Sequence, residues 1–89
     1  MPLSPLAQMV RTGLHRHRDP QRAVGAQAYM KSVMPYYGVP APVLRKICGE
    51  AFAAHPVTMA ADWRRVIAEL WDQATHREER YAAIELAAH

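Results

Sequence analysis

The stretch Trp63-Arg64-Arg65-Val66-Ile67-Ala68-Glu69-Leu70-Trp71-Asp72 decides the fold class. Trp63, Val66, Ile67, Leu70 and Trp71 fall at i, i+3, i+4, i+7 and i+8, the stripe that a 3.6-residue period lays on one helix face. Arg64, Arg65, Glu69 and Asp72 are left for the opposite face. Nowhere does the chain show the sustained period-2 alternation of a half-buried strand, so an all-α fold is expected. Apolar residues recur at helical spacing in four further windows, giving five helices at about 4–16, 20–34, 42–55, 59–73 and 76–89.

Local signals set these boundaries. Ser4-Pro5 and Asp19-Pro20 each pair a capping side chain with a proline that has no N–H to lose in the first turn. Pro35 is expected to end the second helix, whose narrow apolar face is Ala23, Ala26, Met30 and Val33. Met34 to Pro42 holds three prolines and a glycine and reads as an extended connector. Val43, Leu44, Ile47, Cys48, Ala51 and Phe52 form the face of the third helix, Thr58 is placed to cap the fourth, and Thr75-His76-Arg77-Glu78 has capping-box spacing for the fifth.

Short helices joined by short loops suggest pairs, one with two and three with four. A spacing of about 40 residues per pair fits an α-α superhelix of HEAT-like repeats in a single domain over residues 1–89. Nothing after Glu79 signals helix termination, so the array reads as truncated and the fifth helix as lacking a partner. That uncovered face is the expected route to a homo-oligomer. An apolar fraction of 51% points the same way, because a small monomer does not need so much.

The single cysteine, Cys48, excludes an intrachain disulfide and reads as core filler. No apolar run reaches the roughly 18 residues that span a bilayer, and Met1 to Val10 lacks the features of a signal peptide, so a cytoplasmic location without membrane contact is expected. Net charge is +3, unevenly placed: residues 1–46 hold seven basic side chains against one acid, whereas residues 47–89 hold four against seven. Only the first half is suited to neutralising phosphates. His15-Arg16-His17-Arg18 reads as a solvated basic loop; two histidines without cysteine or carboxylate companions are a poor metal site, and neither metal nor other cofactor is expected.

Two stretches carry a family resemblance. Ala28-Tyr29-Met30-Lys31 followed by Tyr36-Tyr37-Gly38-Val39-Pro40-Ala41-Pro42-Val43-Leu44-Arg45 is the first, and Ile67-Ala68-Glu69-Leu70-Trp71-Asp72 with Arg77-Glu78-Glu79-Arg80-Tyr81-Ala82-Ala83-Ile84-Glu85 is the second. In order and spacing they resemble the N-terminal part of the AlkD-type alkylpurine DNA glycosylases. The resemblance implies a HEAT-like superhelix with a basic concave face for duplex DNA, and hydrolysis of the bond joining an N3- or N7-alkylated purine to deoxyribose. Such a purine is already positively charged and leaves readily, so the reaction mainly needs stabilised oxocarbenium character and a positioned water.

No position here matches the family's tryptophan-tryptophan-x-x-aspartate segment. Trp71-Asp72 corresponds instead to a structural helix end, so no catalytic residue is assigned and the chain is expected to be inactive alone. The resemblance implies DNA contact for Tyr29, which can equally pack between helices two and three. Lys31, Arg45, Lys46, Arg16 and Arg18 are the candidate phosphate contacts, each also readable as an ordinary solvated charge. Tyr36 and Tyr37 can stack on nucleic acid or pack in the connector, Trp63 and Trp71 read as core, and Glu78 and Glu79 suit the first turn of a helix. Two other readings stay open: a non-catalytic helical-repeat module that binds nucleic acid or itself, and a purely structural helical protein.

Overall fold

Ser4 accepts a hydrogen bond from the Ala7 N–H and Asp19 one from the Arg22 N–H, so the first two helices begin where their capping side chains place them. The computed structural model describes residues 3–88 and contains five helices: α1 (Pro5–Arg16), α2 (Pro20–Met30), α3 (Ala41–Ala54), α4 (Ala60–Asp72) and α5 (Arg77–Ala88). No strand occurs among the described residues, as expected of an all-α chain. His89, assigned from the sequence to the fifth helix, lies outside them.

One core joins four of the helices. Leu6, Ala7, Val10 and Leu14 of α1 meet Leu44, Ile47, Cys48, Ala51 and Phe52 of α3, Val66 and Leu70 of α4, and Ala82, Ala83 and Leu86 of α5. Trp63 packs against the rim of this core near Phe52, their rings 6.4 Å apart. Burial pushes the Cys48 thiol up to about 12, helped by the nearby Glu85 carboxylate, so the thiol stays protonated as core filler should.

The helix pairing differs from the expected one. Helix α1 packs chiefly on α3 and α4 on α5, while α5 also reaches α3 and α1; α1 with α2 and α3 with α4 make no such contact. The fifth helix therefore has partners on several sides, and among its large apolar side chains Ile84 is the exposed one. Helical period tells which residues share a face; which neighbour covers that face is set by the connections.

Helix α2 departs furthest. It buries no residue and approaches no other helix closely among the described residues. Met30 and Val33, expected on its packed face, are exposed, Val33 almost completely at 98%. The helix ends at Met30 rather than near residue 34 because Lys31 turns left-handed, with φ 51°. The Lys31 N–H then donates to the Ala28 carbonyl and the Ser32 N–H to that of Gln27, a Schellman ending built without glycine. A left-handed non-glycine residue costs about 1–2 kcal/mol. Lys31→Gly is thus expected to stabilise the chain by about 1 kcal/mol. A rise in the urea midpoint would show it; a fall would mean that the lysine side chain holds something in place.

Three smaller expectations are also corrected. Met59, not Thr58, stands at the cap position of α4 and makes no side-chain cap bond. The box at the start of α5 is shifted by one: the Thr75 N–H and hydroxyl both donate to Glu79, while Glu78 turns elsewhere. Trp71 is 42% exposed instead of core, covered in part by the Arg80 guanidinium 4.9 Å above its ring.

Candidate nucleic-acid interface

The connector after α2 runs through the interior, and this placement builds the candidate site. Tyr36, Tyr37, Gly38 and Val39 are all buried, in an extended segment whose backbone N–H groups have no sheet partner. Glu78 supplies the acceptors: its carboxylate takes the N–H groups of Tyr37 at 2.9 Å, Gly38 at 2.9 Å and Val39 at 3.1 Å. The neighbouring Glu79 accepts from the Tyr37 hydroxyl at 3.0 Å, from Thr75, and from Arg11, whose guanidinium also donates to the Gln73 carbonyl. Both carboxylates are effectively inaccessible to water. They are latches rather than simple first-turn charges, and buried acids of this kind are tolerated because every one is richly hydrogen-bonded or paired.

Tyr37 is held on three sides, with the His76 ring stacked 3.8 Å from its own and the edge of His15 at 6.3 Å. Burial, reinforced by the charge and hydrogen bond of Glu79, pushes its phenol up to about 12. The raised value means that the folded state favours the protonated phenol. Its contribution is complete below the ordinary tyrosine value near 10 and is lost as pH rises from there through about 12. Tyr37→Phe is therefore expected to flatten the fall in stability across that alkaline window, read from urea midpoints at a series of pH values. An unchanged profile would remove Tyr37 as its source.

Helix α2 is mounted on the outside of this connector. The Asp19 N–H donates to the Tyr37 carbonyl at 2.8 Å, and Gly38, with φ 89°, lies directly under the first turn of α2. The consequence is an open groove between α2 and α3. Arg22 and Ala26 form one wall, Pro40, Ala41 and Arg45 the other, and Tyr36, Val39 and Tyr81 the floor, with the Glu78 and Glu85 carboxylates of α5 also on its lining. The Tyr36 and Tyr81 hydroxyls are hydrogen-bonded at 2.7 Å; burial first, and then this bond, raise the Tyr36 phenol above its ordinary value.

Neither Arg22 nor Arg45 has an ion-pair partner among the described residues, where the pairs are Arg11 with Glu79, Arg65 with Asp62, and His76 with Glu79. Unpaired arginines on facing walls suit a phosphodiester strand, whose phosphates each present two non-bridging anionic oxygens to a forked donor.

The residues singled out from sequence are not gathered in one place. Arg45 lines the groove just described. Arg16 lines a different cleft between α1 and α3, with Glu50 and His55. Arg18 bends back to donate to the His15 carbonyl at 2.9 Å and borders a hollow beneath α2. Lys31 lies at the far end of α2, Lys46 is exposed on α3 beside Arg45, and Tyr29 stands out from α2 with 86% of its surface free, so it does not pack between helices two and three. Arg45 and Ile47 face apart because two residues turn a helix by about 200°, and Ile47 borders the Arg16 cleft.

Sequence reasoning missed Arg22, the Tyr36–Tyr81 pair and the two latching glutamates. A signal for the last was present, since Glu78 with Ala82 and Leu86, and Glu79 with Ala83 and Leu86, fall on an apolar stripe. Carboxylates on such a stripe must find internal partners. No group of three or more histidine, cysteine, aspartate or glutamate side chains that could hold a metal ion occurs among the described residues, and no helix there is long and apolar enough to cross a membrane.

Comparison with curated proteins found no match. The family model described as DNA alkylation repair enzyme, in contrast, matches residues 10–89, which include the connector, both latching glutamates and the whole arginine-walled groove. The chain thus belongs to the DNA alkylation repair enzyme family, and its role lies in DNA repair.

Proposed function

We propose that the chain binds duplex DNA containing alkylated purines and serves as the N-terminal DNA-binding part of an alkylpurine DNA glycosylase, without catalysing base release itself. The observation that carries the reading is the pair of unpaired arginines, Arg22 and Arg45, facing each other across a tyrosine-floored groove in a chain of this family. Tyr29 supports it from the adjoining surface, as an exposed ring able to approach the sugar and backbone of a lesion. Lys31, Lys46, Arg16 and Arg18 add positive charge around this surface. Helix α2 carries no acid between Pro20 and Met30, so nothing on it repels a strand.

Catalysis is assigned elsewhere because no segment here matches the family's tryptophan-tryptophan-x-x-aspartate. Of the nearby carboxylates, Glu78 and Glu79 are engaged with the connector and with Arg11, and Glu85 lines the groove. A cytoplasmic location goes with this reading.

The test is binding of a fluorescein-labelled duplex, with and without N7-methylguanine, followed by anisotropy over a range of salt, with free base measured in parallel. Expected are micromolar-range binding at low salt that weakens linearly in log–log form as salt rises, and no base release. Absence of binding at 50 mM salt would favour an inert structural protein. Release of methylguanine would show that the chain is itself the enzyme.

A further inference from the structure

A second basic groove lies where the turn after α2 meets the start of α5, anchored by the Arg77 N–H donating to the Pro35 carbonyl at 2.9 Å. Lys31, Ser32, Val33, Thr75, Arg77 and Arg80 line it, and no carboxylate does. We infer that this groove is a phosphate-binding extension of the α2–α3 groove, in which Lys31, Arg77 and Arg80 contact successive phosphodiesters of a DNA strand. The inference rests on the DNA-binding reading above.

Three observations carry it. First, Lys31, Arg77 and Arg80 have no ion-pair partner among the described residues, although both arginines sit in the acidic half of the chain. Like charges so placed repel one another unless an anion joins them.

Second, the two guanidiniums are held by aromatic faces: Arg77 lies 5.5 Å over the Tyr81 ring and Arg80 4.9 Å over Trp71. Stacking fixes the plane of a guanidinium and leaves most of its edge donors for an incoming oxygen. The Nε–H of Arg77 has no acceptor among the described residues, so a donor of this groove-lining arginine is left unmatched.

Third, Lys31 occupies a left-handed position that glycine would take without strain. A strained residue whose side chain points its charge at a basic groove is a reason to look for a ligand there.

The two grooves are adjacent. Tyr81 floors the first and carries Arg77, which lines the second, so a strand leaving the Arg22 and Arg45 walls passes directly over this partition.

The closing experiment compares salt slopes of duplex binding for the unaltered chain, for R22Q/R45Q and for K31G/R77Q/R80Q. Each phosphate contact contributes about 0.9 to the slope of log affinity against log salt, so the triple variant should lower it by about 2–3 and the double variant by about 2. Lys31→Gly alone relieves backbone strain, so its expected several-fold loss of affinity in a chain no less stable cannot come from unfolding.

A triple variant with an unchanged slope, beside a double variant that still lowers it, overturns the second groove and leaves the DNA reading intact. No binding by the unaltered chain overturns both. Replacing chloride with inorganic phosphate at constant ionic strength should displace the duplex only weakly; displacement by low-millimolar phosphate would assign the groove to the free anion and overturn the strand contact.

Discussion

Glu78→Ala is expected to destabilise the chain by about 4–6 kcal/mol, because it strands three buried backbone donors at once. The carboxylate oxygens of Glu78 now take the N–H groups of Tyr37, Gly38 and Val39 in a segment that water does not reach. Each unmade bond to a buried donor costs about 1–3 kcal/mol, and the cavity left by the side chain adds to this. A domain of this size has a total stability of about 5–13 kcal/mol, so the loss is a large part of it.

Glu78→Gln should cost about half as much. One amide oxygen can still accept from two donors, while the NH2 group opposes the third. Urea denaturation of both variants, with far-UV circular dichroism as probe, gives the comparison. A loss below about 1 kcal/mol for the alanine variant would mean that the connector finds other acceptors and is not latched by this residue.

Gly38→Ala is expected to detach α2. At φ 89° an L residue is strained, and the added Cβ would overlap the Asp19 carbonyl oxygen and come within 2.8 Å of the Ala23 nitrogen. Both obstacles are backbone, so no rotamer change relieves them. The low-energy way out is for α2 to lift away, since it buries nothing and is tied to the body mainly through the connector.

The expected result is a stability loss of about 3 kcal/mol or more, together with rapid proteolysis near Arg18, Arg22 and Lys31 and loss of the Arg22 wall. Salt-dependent DNA binding should fall with it. Trypsin resistance equal to that of the unaltered chain would show that α2 has a hold the hydrogen bonds and burial do not reveal.

The Glu78 and Gly38 variants separate two links that share a few residues. The first breaks the tie between α5 and the connector, under the floor of the groove. The second leaves that tie in place and breaks the seat of α2, one wall of the groove. If DNA binding depends on the walls, Gly38→Ala abolishes it even where the core of α1, α3, α4 and α5 remains folded.

What can be read without a structure follows from short-range chemistry. The stripe from Trp63 to Leu70, the caps at Ser4 and Asp19, the prolines at 40 and 42 and the face of α3 each depend on residues within about two helical turns, and each appears where local sequence places it, whereas α2 stops before Pro35. Sequence order also carries the family resemblance, since matching needs only residue types in register.

Tertiary structure alone decided the rest. Whether Met30 at the end of α2 and Val33 just beyond it are covered depends on which helix lies opposite, and among the described residues none does. Glu78 and Glu79 look like favourable first-turn charges until a connector some 40 residues earlier is drawn beneath them with donors to satisfy. Arg22 and Arg45 line one groove only because that connector holds α2 beside α3. Local periodicity specifies a face, but burial and electrostatic partnership depend on what the chain brings against it from far away.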